Sequence, residues 1–179
     1  MCSRLPSCGA SVGADDGREL LELQARRFDK AKAAILRVVE LDSTYRTAHT
    51  LLGATYLQQR DYDRAISSFR RVIALSGERR TPDIAFLAHA YATAGKRDSA
   101  MALLAELEQR RMAREPVSYA GLALVLQSLG DTDRAVAMLD TAVMRHDGML
   151  SMHSPEAVFD PLRRDARGAK IRLRAEGPR

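Results

Sequence analysis

Tryptophan is absent from this 179-residue chain, and aromatic residues of all kinds make up only 5% of it. Proteins that hold single-stranded nucleic acid need aromatic faces on which bases stack, and none interleave with the basic residues of the last 17 positions. Cysteine is almost as scarce. Cys2 and Cys8 both lie in a Gly/Ser/Pro-containing opening segment, without a histidine or a third cysteine beside them. Two thiols in that setting are a poor metal set, and a disulfide between them would close only a tiny loop. Long apolar runs are missing too. No stretch approaches the ~20 residues that a helical membrane span requires. Residues 1–12 hold no run long enough for a signal peptide, and Cys2 follows Met1 directly, without the leader that lipoprotein processing uses. A soluble, cytoplasmic protein is the expectation. Finally, there is no nucleophile elbow, no phosphate-cradling glycine loop and no His-Glu-x-x-His. Neither enzymatic activity nor any cofactor is expected.

What is present points to helices. The chain is 46% hydrophobic and 28% charged, enough apolar content for a core. Alanine and leucine dominate, which favours helix over strand. The net charge of +5 is not spread evenly. The last 17 residues hold seven basic side chains, Arg163 to Arg179, against Asp165 and Glu176, and so carry all of it. The high pI therefore describes a tail rather than a nucleic-acid-binding face, which argues against nucleic acid as a partner.

The body repeats itself. Asp29-Lys30-Ala31, Asp63-Arg64-Ala65, Asp98-Ser99-Ala100 and Asp133-Arg134-Ala135 share the pattern Asp-x-Ala, with alanines 34, 35 and 35 residues apart. Four residues after each alanine stand Ile35, Phe69, Leu104 and Leu139, and three further on Val38, Val72, Leu107 and Ala142. That spacing is one face of a helix. A second helix precedes each of the last three, carrying Leu52-Gly53 with Tyr56, Leu87-Ala88 with Tyr91, and Leu122-Ala123 with Leu126. Short polar turns containing Gly95 and Gly130 separate the members of a pair, so they must pack antiparallel. Asp63, Asp98 and Asp133 fall in a first turn, where negative charge opposes the helix dipole favourably.

The run Ala48-His49-Thr50-Leu51-Leu52-Gly53-Ala54-Thr55-Tyr56, followed by Asp61-Tyr62-Asp63-Arg64-Ala65-Ile66 and Phe69, closely resembles the tetratricopeptide repeat. The resemblance implies an all-α solenoid of antiparallel hairpins: full repeats at 46–79, 81–114 and 116–149, and a degenerate one at 14–45. Residues 1–13 are expected to be a flexible lead-in. The tryptophan common early in the family's first helix is replaced by His49, Ile84 and Tyr119. Residues 150–179 read as a cap and basic tail. Their Phe159-Asp160-Pro161-Leu162-Arg163 run resembles the segment closing such arrays in bacterial multidomain signalling proteins, with Phe159 and Leu162 expected to cover the last hairpin.

The family's architecture also implies a site. Its first helices line a concave groove, which here assigns Thr47, Thr50, Ala54, Leu57, Ala85, His89, Ala92, Ala120, Leu124 and Gln127 to the lining. The expected function is non-catalytic capture of a peptide or helix from an unidentified protein partner, or else packing of some of these residues against the chain's own terminal helix. The alternative is a regulatory portion of a larger enzyme such as a bacterial Ser/Thr kinase. Family members that grip carboxylate-ended chaperone tails use a Lys/Asn/Arg cluster; Thr50, Ala54 and His89 stand there instead, so that clamp is absent. No metal site is expected, because His146-Asp147 and His153 lack the i, i+4 spacing of a helical zinc pair.

Overall fold

The computed structural model describes residues 29–152. Among them there is no strand. A helix over 29–41 (α1) is followed by α2 (Arg46–Gln58), α3 (Tyr62–Ser76), α4 (Thr81–Thr93), α5 (Arg97–Met112), α6 (Tyr119–Ser128), α7 (Thr132–Met144) and the short α8 (Met149–Met152). Three hairpins result: α2 with α3, α4 with α5, and α6 with α7. They stack in order, since α4 packs on both α3 and α6. The fold is an all-α solenoid of helix hairpins.

Three of the four repeated alanines do what their spacing implies, while Ala31 on α1 is exposed. Ala65, Ala100 and Ala135 have no exposed surface, and Phe69, Val72, Leu107 and Ala142 are buried beside them. The first-helix positions are equally tight. A Cβ added to Gly53 would sit 2.6 Å from the Phe69 ring, and one added to Gly121 would sit 2.8 Å from the Ala85 methyl. Phe69 stacks in turn on Phe86 of the next hairpin, with centroids 5.7 Å apart, an offset packing favourable beyond the area it buries. α4 and α6 are enclosed on almost every face, from Ile84 to Ala88 and from Ala120 to Leu126. The expected core face of α1 fails at both ends. Val38 is 39% exposed where its counterparts Val72 and Leu107 are buried, and Leu41 is 88% exposed. Polar contacts join α1 to Gln59, the C-cap residue of α2: Lys32 donates to its side-chain oxygen, and its side-chain amide donates to Asp29. The first half of the degenerate repeat, both cysteines, Phe159, Leu162 and the basic tail lie outside the described residues.

The turns are chemically uniform. Residues 60, 95 and 130 all adopt positive φ, at 59°, 75° and 87°. Around each the backbone closes the same pair of bonds. Asp61, Lys96 and Asp131 donate their N–H to the carbonyls of Tyr56, Tyr91 and Leu126, all at 2.9 Å. Residues 60, 95 and 130 donate to Leu57, Ala92 and Gln127 at 3.0 Å. This is the Schellman termination, and it favours glycine at the left-handed position. Two of the three have it, and the first has Arg60. Asp61 and Asp131 then cap α3 and α7 by accepting the amides of Arg64 and Arg134, at 3.3 and 3.2 Å.

Arg60 carries the left-handed penalty of a residue with a Cβ. Arg60→Gly is therefore expected to stabilise the array by about 1 kcal/mol, net of the entropy glycine gives up. Chemical denaturation of the two proteins side by side measures it.

Candidate functional site

The ten residues assigned to the groove come from α2, α4 and α6, and the structure divides them. Thr47 is exposed; Thr50, Ala54, Leu57, His89, Ala92 and Gln127 are half-buried. Ala85, Ala120 and Leu124 have no accessible surface at all. These three offer nothing to a partner in this conformation, and as open lining they are corrected. The causes are local. Ala85 faces Gly121 of α6 at the close approach described above. Ala120 lies on the Asp147 carboxylate, which accepts its backbone N–H at 3.1 Å. Leu124 lies in the stretch of α6 from Ala120 to Leu126 in which every residue is buried.

Asp147 is an organising group that the repeat pattern did not single out. Its carboxylate accepts from the Ser118 hydroxyl at 3.1 Å and from the amides of Ala120 and Met149, at 3.1 and 3.0 Å. It thereby ties the start of α6 to the start of α8. Met149 is buried against Ser118 and Gly121. It also reaches a depression of about 100 Å³ that contains Thr47 and Thr50 of α2 and Asp83 and Phe86 of α4. Thr47 and Thr50 are thus brought together with residues from the next hairpin. Arg46 pairs with Asp83 there at 3.2 Å. Burial raises the Asp83 carboxyl above its ordinary pKa, while Arg46 and Arg80 pull it back. The only sequence signal for Asp83 was its place in the first turn of α4, just after Pro82.

Further along, His89 of α4 lies 2.6 Å from the Ser128 hydroxyl of α6. Ser128 donates its one proton to the Leu124 carbonyl at 2.7 Å. The imidazole must then donate from Nδ1, which leaves Nε2 as an acceptor. Burial pushes His89 down to about 4, so the ring is neutral at physiological pH. Beside Ser128, the Gln127 side-chain oxygen is buried without a hydrogen-bond partner. Such an atom forgoes roughly 1–3 kcal/mol until a donor reaches it. Among the described residues no group of three or more His, Cys, Asp or Glu side chains is placed to hold a metal ion.

The His89 shift has a sign. An unfolded histidine takes up a proton near pH 6.5 and the buried one only near 4, so acid favours the unfolded chain across that window. Between pH 7 and pH 5 the wild type is expected to lose about 2 kcal/mol more stability than His89→Gln, which does not titrate there. Urea unfolding at the two pH values checks this.

Three family models described as tetratricopeptide repeat match the chain, over residues 20–80, 56–116 and 117–145. No curated protein matches it. With matches running through the whole hairpin stack, and a buried alanine at the same position of each full hairpin, at 65, 100 and 135, the chain belongs to the tetratricopeptide-repeat family.

Proposed function

We propose that this chain is a non-catalytic interaction module that captures a peptide or helix of a partner protein along the face formed by α2, α4 and α6. Tetratricopeptide repeats generally mediate protein–protein interaction. The observation that carries the reading is the unmet acceptor at Gln127. A buried oxygen without a partner is tolerated where a ligand supplies the donor. His89 Nε2 adds a second acceptor on a neighbouring helix, and Thr47 and Thr50 add hydroxyls beside the apolar surface of Phe86. Small apolar side chains at Ala54 and Ala92 leave room for a backbone to approach. A partner presenting donors, such as backbone amides or Asn and Gln side chains, suits this lining.

Leu124 is not a suitable probe of this surface: a charge there would be buried and would unfold the third hairpin. Thr47 and Thr50 are better. The expected outcome is that Thr47→Glu/Thr50→Glu releases a protein that the wild type retains from its native lysate, with unchanged helical content. Met101→Glu, on an exposed position of α5, is expected to retain it. Retention of the same protein by all three would sink the groove reading.

A further inference from the structure

A second concavity lies at the turn edge of the array, where the α3–α4, α5–α6 and α7–α8 connections meet. It encloses about 790 Å³, within the range of sites that take a small ligand or a short peptide. Its lining includes four arginines, Arg80, Arg111, Arg114 and Arg145, against two carboxylates, Glu115 and Asp147. Asp147 is already engaged by the Ser118 hydroxyl and two backbone amides. The wall behind the arginines is built rather than loose. The Ser118 amide donates to the Thr81 hydroxyl at 3.1 Å in a buried bond that ties the second hairpin to the third.

The neighbouring arginines show what three of these four lack. Arg79 and Arg110 are both held by Glu106, and Arg134 by Glu108. Among the described residues, no carboxylate lies within ion-pair distance of Arg111, Arg114 or Arg145. Arg145 is steadied instead over the Tyr119 ring, 5.0 Å from its centroid. Arg80 is the N-cap of α4, Arg114 follows the C-cap of α5 and Arg145 is the C-cap of α7, so helix ends from successive hairpins bring guanidinium groups to one edge.

We propose that this edge cleft binds an acidic peptide segment of a partner protein, its Asp or Glu carboxylates paired with Arg111, Arg114 and Arg145. Guanidinium groups match carboxylates in shape and take them bidentately. The chain's own last 17 residues carry +5 and have the wrong sign to occupy the site. Nucleic acid fits less well, because the Tyr119 face that would stack a base is covered by Arg145. The cleft adjoins the Thr47/Thr50 depression at Arg80, Pro82 and Met149, but Arg111, Arg114 and Arg145 lie outside that depression, and their charge complementarity stands whether or not the α2–α4–α6 face binds a peptide.

The test is fluorescence anisotropy of the full chain with a labelled octaglutamate peptide, an octaglutamine control and an oligothymidylate, in low and moderate salt. Expected is saturable binding of octaglutamate alone, weakened by salt, and weakened about tenfold in Arg111→Gln/Arg114→Gln with the thermal melt unchanged. Arg145→Gln, at an exposed position, is expected to weaken it as well, and serves alone if the double variant does not fold. Equal octaglutamate affinity in wild type and these variants overturns the proposal. Tighter binding of the oligothymidylate, lost in the same variants, overturns it in favour of nucleic acid. Loss of octaglutamate binding on neutralising only Lys170, Arg172 and Arg174 would also overturn it, by moving the site to the tail.

Discussion

The Phe69 ring occupies the space that a side chain on Gly53 would need, 2.6 Å from where its Cβ would lie. Everything else in the array depends on that kind of interlock. A helix of the first hairpin can approach its partner only because one residue in the contact has no side chain and the other is large enough to fill what is left. Phe69 then presents its other face to Phe86, which carries the contact into the next hairpin. Gly121 against Ala85 repeats the device one step later with two small residues, where an added Cβ would come within 2.8 Å. A single hairpin made this way leaves one face uncovered, so the stack is the smallest stable unit. Leu36, Val38 and Leu41 illustrate this at the early end, where apolar side chains on α1 stay exposed.

The period was legible because the interlock restricts residue type. Only alanine suits positions 65, 100 and 135, which have no exposed surface, and a pattern of small residues at fixed spacing survives wherever the helices touch. What escaped the sequence was set between hairpins. Leu124 was assigned to an open face because periodicity fixes a residue's direction on its own helix, not what stands opposite. The α6 helix proved to be buried at every residue from Ala120 to Leu126, and Met149, which helps to close it, follows the last repeat rather than belonging to its pattern. Arg60 was unreadable for a related reason. The Schellman hydrogen bonds hold whichever residue takes the left-handed position, so the turn survives without the glycine that marks it elsewhere.

Electrostatics separates the two surfaces. On the α2–α4–α6 face the ionisable groups are neutralised: His89 is kept uncharged by burial, and Asp83 is paired with Arg46. What remains there is hydrogen-bonding capacity, at Gln127 above all. At the turn edge, four guanidinium groups gather against two carboxylates, of which Asp147 is already engaged. The first surface suits a partner read by its backbone and amide groups, the second a partner read by its charge. A protein carrying both features on one segment would gain from engaging the two at once.

The interlock itself is tested most directly by a double-mutant cycle on Gly53→Ala and Phe69→Leu, followed by chemical denaturation. The gain in helix propensity from glycine to alanine, ~1 kcal/mol, is the same in both backgrounds and cancels. With Phe69 present, the new methyl group has to displace a fully packed ring, and Gly53→Ala is expected to cost about 2 kcal/mol or more. With leucine at 69 the same change is expected to cost little or to stabilise, giving a coupling above ~1 kcal/mol. An identical effect of Gly53→Ala in both backgrounds would contradict the account.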